Sequence, residues 1–434
     1  MRRLLVVLLM LALVLPMAFA SGQAESGEGE EAPEELRIMW WGSQTRHERT
    51  IEAINLYAER NNVEVTHEFA GWQDYWTKMT TMAAGNNLPD IMQHDYAFLL
   101  EWQARGLLKP LDPYVDSGIL DFSNVADSAL AGGRVDGELF GVNLGVNSET
   151  IAVDVAMFEE AGIPIPEDDW SWDEFEEIAM KLHEELGVYG FGPLMTNDQI
   201  WKGIHLSSGM MPFDYENGGL GYEDDSVHIA HLNRVLRLQE AEAIPHISVE
   251  ASDYNYGTNV ENRPTIEGEA AMAYFWSNQL NAFWTAAGGP EERDFELVML
   301  PRSGERSANY VKPSMFFAIT RDSKNPELAA DFINFFTNDV EANKILMAER
   351  GVPVASHVRE ELSELVPVPS QIVFDYMGRV AEDSVPIPPP DPKGWNELLE
   401  NVYKPIVRDG VRFGEYTPEE AVEIFREEAE AIIE

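Results

Sequence analysis

Between Leu36 and Gln93 the chain alternates between short strand-like runs and amphipathic helical runs, and no other feature constrains its fold so strongly. Leu36-Arg37-Ile38-Met39-Trp40, Val63-Glu64-Val65-Thr66-His67 and Pro89-Asp90-Ile91-Met92-Gln93 read as strands. A helix is predicted from Arg49 to Arg60, with Ile51, Ile54, Tyr57 and Ala58 on one face and Asn61-Asn62 ending it; a second runs from about Trp72 to Ala84. This β-α-β-α-β order predicts an α/β fold with a doubly wound parallel sheet, which binds ligands beyond the carboxyl ends of its strands.

The middle of the chain is mostly helical. Ser171-Trp172-Asp173-Glu174 is a capping box followed by Phe175, Ile178, Leu182 and Leu186 at helical spacing, with Gly187 as the C-cap. Strand signals return at Phe295 to Leu300 and Met315 to Thr320. A helix opens at Asn325-Pro326, another runs from Asn338 towards Gly351, and a last one follows the capping box at Thr417. At 434 residues the chain is too long for one core. Strands early, helices in the middle and strands late predict a chain that leaves one lobe, builds a second and returns, with the crossings as a hinge. The predicted boundaries are 36–146 and 293–337 for the first lobe, and 147–292 and 338–434 for the second.

The first residues address the compartment. Arg2 and Arg3 precede an apolar run from Leu4 to Leu15, Pro16 breaks it, and Ala18-Phe19-Ala20 supplies a small-x-small cleavage pattern. The run is shorter than the ~20 residues a spanning helix needs, so 1–20 reads as a cleaved signal peptide and the protein as exported, periplasmic or extracytoplasmic. Residues 21–35, with six Glu and no Lys or Arg, have the composition of an acidic disordered linker. The chain has no cysteine, which excludes lipobox anchoring, disulfides, thiolate metal sites and cysteine nucleophiles. Its formal charge of −46 repels nucleic acid and anionic lipid, both of which are bound through Lys/Arg clusters.

Motifs of catalysis are missing: no Gly-x-Ser-x-Gly elbow, no phosphate-binding glycine loop and no His-Glu-x-x-His. His228 and His231 share a helix face, but without a third ligand they read as structural. The sequence therefore points to no enzyme, no cofactor and no metal. What stands out is aromatic residues at predicted strand ends and loops. Trp41 and Ser43 end the first strand, Trp72 and Tyr75 follow the second, and Gln93, Asp95 and Tyr96 follow the third; Trp201, Trp276 with Asn278, Tyr310 and Trp395 come later. Sugars suit such surfaces, because their C–H faces pack on flat rings while their hydroxyls need planar polar groups such as Arg46, Asn143, Asn147 and the amides above, with Lys312 a further candidate. Trp40 and Trp41 must face opposite ways along a strand, and Trp41, nearer the strand end, is the ligand candidate of the two.

On the segments LRIMWWGSQTRHERT (36–50), GWQDYWTKM (71–79), NNLPDIMQHDY (86–96), LEWQARGLLKPLDPY (100–114), ELFGVNLGVNSETIAVDVAMFEEAGI (138–163), WSWDEF (170–175), KNPELAADFINFFTND (324–339) and ERGVPV (349–354), the chain resembles the family 1 extracellular solute-binding proteins, the sugar-binding subunits of ABC importers. The resemblance implies a two-lobed periplasmic-binding-protein-like fold (type II), each lobe a sheet flanked by helices, with the ligand in a cleft at the hinge. It implies a carbohydrate ligand, ABC importer permease subunits as partners, no cofactor, no nucleic acid and a monomer. It also places a crossing strand within Gly141 to Val153, and so Asn143 and Asn147 near the cleft. The first segment is similar to a branch that takes pectin-derived oligosaccharides, where Arg46 and His47 would meet a uronate carboxylate; the alternative is that Arg46 caps or solvates the helix that follows it. The rival readings are an exported glycosidase or lyase, a chemotaxis sugar sensor of the same fold, and the same fold binding a polyol or glycerol phosphate.

Overall fold

The computed structural model describes residues 34–433 except 43, 256–259, 261 and 262. The predicted signal peptide, the acidic stretch up to Pro33 and Ser43 lie outside the described residues. Among the described residues the strands are β1 (Glu35–Trp41), β2 (Glu64–Ala70), β3 (Ile91–His94), β4 (Arg134–Val135), β5 (Glu138–Leu139), β6 (Val142–Asn147), β7 (Glu149–Asp154), β8 (Met272–Trp276), β9 (Phe295–Val298) and β10 (Lys312–Ile319). One sheet has the order β2-β1-β3-β10-β6, a second the order β8-β7-β9, and β4 pairs with β5. In the first sheet β1 runs parallel to β2 and β3, as the alternating sequence predicts, while β10 is antiparallel to β3 and β6. In the second, β7 is antiparallel to both neighbours. No helix among the described residues is long and apolar enough to cross a membrane.

β1 shows why the first sheet forms. Leu36, Ile38 and Trp40 pack with Ala53, Ile54 and Tyr57 of α1 (Gln44–Asn61), whereas Met39 and Trp41 pack with Tyr75, Met79 and Ala83 of α2 (Trp72–Ala84). Helices cover both faces, so an apolar strand residue is buried whichever way it points. Later helices follow their sequence signals closely. Ser171 and Thr417 form reciprocal capping boxes with Glu174 and Glu420, and Gly187 ends the helix Trp172–Leu186 in the left-handed region at φ 71°. Asn325 does not cap the helix Pro326–Asn338; its Nδ2 donates instead to the Glu35 carbonyl at 3.0 Å, joining that helix to β1. The helix expected to run towards Gly351 stops at Leu346, because Met347 and Ala348 adopt φ of 50° and 53°.

The chain passes from the first sheet to the second through Ser148 alone, between the end of β6 and the start of β7. Ser148 N–H donates to Ser277 Oγ at 3.2 Å, Ser277 N–H donates back to the Ser148 carbonyl at 2.9 Å, and Ser148 Oγ donates to the Tyr310 carbonyl at 2.9 Å. The return passage is tied to the same point, for Asn309 Nδ2 donates to the Glu149 carbonyl at 2.7 Å and lies 3.0 Å from Ser148 Oγ. A third passage pairs Val352 with Val146. There Gly145 is required, since a Cβ on it would stand 2.3 Å from the Arg350 carbonyl. These passages displace two of the boundaries read from sequence. β9 pairs with β7 in the second sheet, so the chain returns after Val298 and not at 293. Leu346, beyond the predicted boundary at 338, packs with Ala53 and Ile54 under the first sheet.

His205, His228 and His231 are buried among aromatic rings, and the described residues hold no cluster of metal-ligating side chains. Burial brings the His205 and His231 imidazoles down to about 4 and holds that of His228 well below its ordinary value. Neither ring nitrogen of His228 has a hydrogen-bond partner. Below the ordinary value of 6.5 the unfolded chain takes up a proton at His228 that the folded protein refuses, so stability falls as pH falls. His228→Leu removes that penalty. At pH 5.5 the variant is expected to gain about 1.4 kcal/mol relative to wild type beyond any difference at pH 8, read from urea unfolding at both pH values; a difference independent of pH would refute the assignment.

Candidate functional site

A cleft of about 1010 Å³ opens where β3, β6 and β8 end and β10 begins. Its first-sheet side carries Asp95 and Tyr96 just beyond β3, Asn147 at the end of β6, and Lys312 at the start of β10, directly opposite Asn147 in the ladder. Asp95 accepts from the Ala97 N–H at 2.9 Å and so caps α3 (Tyr96–Ala104), which fixes the direction in which Tyr96 leaves the sheet. The second-sheet side carries Trp276 at the end of β8, Asn278 after it, and Gln199 and Lys202 from the helix Asp198–Ser207. Tyr310, on the return passage, meets Trp276 edge to face with ring centres 6.2 Å apart.

A proline-rich segment, Pro386-Ile387-Pro388-Pro389-Pro390-Asp391-Pro392, forms another wall from Ile387 onward. Tyr96 OH donates to the Pro388 carbonyl at 2.7 Å and Tyr215 OH to the Pro389 carbonyl at 3.1 Å. Asp391 takes the Lys202 ammonium at 2.6 Å, and that ammonium also sits 5.0 Å from the centre of the Trp395 ring. Burial raises the phenols of Tyr96 and Tyr215, with the Asp391 charge adding to both, so they remain protonated donors. The turn at Met347 and Ala348 brings Glu349, Arg350 and Gly351 to the cleft, where Glu349 holds Arg46 at 2.8 Å. Burial brings the Arg350 guanidinium down to about 9, with the Arg46 charge acting the same way.

Of the residues singled out from the sequence, Arg46, Asp95, Tyr96, Asn147, Trp276, Asn278, Tyr310, Lys312 and Trp395 line this cleft. Others do not reach it. Trp41 is 8 % exposed and packs edge-on against Tyr75 of α2, itself fully buried, because α2 covers the sheet face from which Trp41 projects. Gln93 is buried as a clip, donating to the Trp41 carbonyl at 3.0 Å and accepting from Arg350 Nε at 3.1 Å. Asn143 is buried and donates to the Ala129 carbonyl. Trp201 is 1 % exposed, stacked on Trp395 at 5.4 Å inside an aromatic core with Phe213 and Phe425. His47 is buried, within 3.1 Å of Trp40 Nε1, which donates to it. Ser43 and the side chain of Trp72 lie outside the described residues. Sequence reasoning passed over Gln199, Lys202, Tyr215, Glu349 and Arg350; the proline run was a visible signal of an extended, acceptor-rich segment.

The sequence profile of bacterial extracellular solute-binding proteins matches residues 52–370, more than half of the chain. The chain belongs to that family. Its fold agrees with a family 1 extracellular solute-binding protein of Alicyclobacillus acidocaldarius, 26% identical, with a TM-score of 0.82 over 92% of this chain and 98% of that one. It also agrees with a periplasmic oligogalacturonide-binding protein of Yersinia enterocolitica, 22% identical, with a TM-score of 0.75 over 92% and 98% of the two chains. A binding protein of Brucella abortus is 27% identical over 137 residues, and the match spans 31% of this solute-binding protein and only 32% of that relative.

The two tryptophan environments separate folding from binding. Trp201→Ala is expected to cost about 3–5 kcal/mol of stability, as for other large buried side chains, while Trp276→Ala, half-buried at the cleft, leaves the unfolding midpoint close to wild type. Denaturant unfolding of both variants checks this, and equal losses would contradict the two placements.

Proposed function

We propose that this solute-binding protein captures an oligosaccharide outside the cytoplasmic membrane, as a monomer without a cofactor, and delivers it to the permease subunits of an ABC importer. The observation that carries the reading is the composition of the cleft wall. Trp276, Tyr310, Tyr96 and Trp395 offer ring surfaces or edges, and Asn147, Asn278 and Gln199 offer planar amides within the same space. A sugar needs that combination: apolar C–H faces to pack on rings, and hydroxyls that both donate and accept. The family match supports binding rather than catalysis, and the cleft pairs its acids with cations or helix caps instead of leaving two free carboxylates facing each other. Glu349 is held by Arg46, Asp391 by Lys202, and Asp95 caps α3.

Capture works through the two sheets as halves of a clamp, each half carrying part of the wall. A ligand that touches Tyr96 and Asn147 on one side and Trp276 and Asn278 on the other gains contacts on both sides only when they approach. That difference in affinity is what drives closure. The similarity in fold to an oligogalacturonide-binding protein makes uronate-containing oligosaccharides the leading substrate class within this reading.

Thermal unfolding against a panel of neutral and uronic oligosaccharides tests the proposal. A bound sugar at a hundred times its dissociation constant is expected to add about 2.7 kcal/mol to stability, with no new reducing ends or unsaturated products after prolonged incubation. Turnover of the sugar would replace the binding role with an enzymatic one, and a midpoint indifferent to every sugar would remove carbohydrate from consideration.

A further inference from the structure

The cationic side chains on the cleft wall are Arg46, Lys202, Lys312 and Arg350. Three of them face acids of the protein itself. Arg46 holds Glu349 at 2.8 Å, Arg350 approaches the same carboxylate at 3.7 Å, and Lys202 lies 2.6 Å from Asp391 and 3.7 Å from Asp198. Lys312 has neither an acidic partner nor a hydrogen bond among the described residues; its ammonium rests 5.4 Å from the centre of the Trp276 ring. Asn147, opposite it in the ladder, is 8 % exposed, and its Oδ1 is buried without a hydrogen-bond partner. The buried carboxyl of Glu149, paired across the second sheet with Trp276, interacts with Lys312 electrostatically, but burial pushes it up to about 8 and keeps it largely neutral at pH 7.

Lys312 is half-buried and its ammonium has no acidic partner among the described residues, so an arriving anion supplies the counter-charge that the protein does not. The chain carries −46 formal charges, so its surface at large discourages anions, and a site that accepts one must hold its own positive charge. We infer that Lys312, with Asn147 and Trp276 beside it, is the subsite that takes the carboxylate of a uronate residue in the bound oligosaccharide. The ammonium meets the carboxylate, the Asn147 amide meets a neighbouring hydroxyl, and the indole meets the sugar's C–H surface. This inference rests on the carbohydrate reading above. It moves the carboxylate contact away from Arg46 and His47, since Arg46 is already paired and His47 is buried beneath Trp40 and Phe69.

Calorimetric titration with digalacturonate and with its dimethyl ester, for wild type, Lys312→Met and Lys312→Arg, tests it. Wild type is expected to bind the free acid about tenfold or more tightly than the ester. Lys312→Met is expected to weaken binding of the acid about tenfold or more while changing ester binding less than about threefold. Lys312→Arg is expected to retain the preference for the acid, and unfolding midpoints confirm that both variants are folded. Equal binding of acid and ester by wild type, or a preference for the acid that survives Lys312→Met, overturns the carboxylate subsite and leaves the carbohydrate reading standing. Failure to bind either compound or any neutral oligosaccharide overturns both.

Discussion

One residue, Ser148, separates the last strand position of the first sheet from the first strand position of the second, and the geometry of the cleft depends on how it is held. Its backbone and hydroxyl are committed to Ser277 and Tyr310, and the Asn309 amide clasps the neighbouring Glu149 carbonyl. These bonds are buried, where an unmade one costs roughly 1–3 kcal/mol, so the two sheets meet with a fixed register at this point. Asn147, Trp276, Tyr310 and Lys312 all sit within a few residues of it. The cleft wall and the passages between the two sheets are therefore built from the same short stretches of chain.

Charge is distributed with a similar economy. A chain with 30 basic residues against 76 acidic ones places four of its cations on the wall of one cleft. Three of them are bound to acids that also shape the wall: Arg46 and Glu349 join α1 to the turn after Leu346, and Lys202 and Asp391 join the helix Asp198–Ser207 to the proline segment. Such partly buried pairs add modestly to stability but fix geometry well.

The fold was legible in the sequence where local signals and tertiary packing agree. The strands and helices from Glu35 to His94 follow hydrophobic periodicity, and the capping boxes at Ser171 and Thr417 mark true helix starts. Asn325 was misleading because a cap-type residue can find a partner elsewhere, here the Glu35 carbonyl. The site was harder. A tryptophan near a strand end reads the same whether it faces a ligand or a covering helix, and Trp41 and Trp276 differ only in that α2 packs over the former. Trp201 and Trp395 lie against one another, yet only Trp395 reaches the cleft wall, a distinction of a few ångströms that periodicity does not encode. Glu349 and Arg350 join the wall because the chain turns left-handed at Met347 and Ala348, two residue types that give no warning of such a turn.

The proline segment limits which hydrogen bonds its side of the cleft can offer. Proline has no N–H, so Pro388, Pro389 and Pro390 present only carbonyl oxygens along that stretch, and two of these accept from the phenols of Tyr96 and Tyr215. A hydroxyl that took the place of a phenol would make an O–H···O=C contact of the same kind, while the released phenol would need a new acceptor of its own. A wall of pure acceptors thus has two of its carbonyls satisfied from within the protein, by tyrosines that reach it from other segments of the chain.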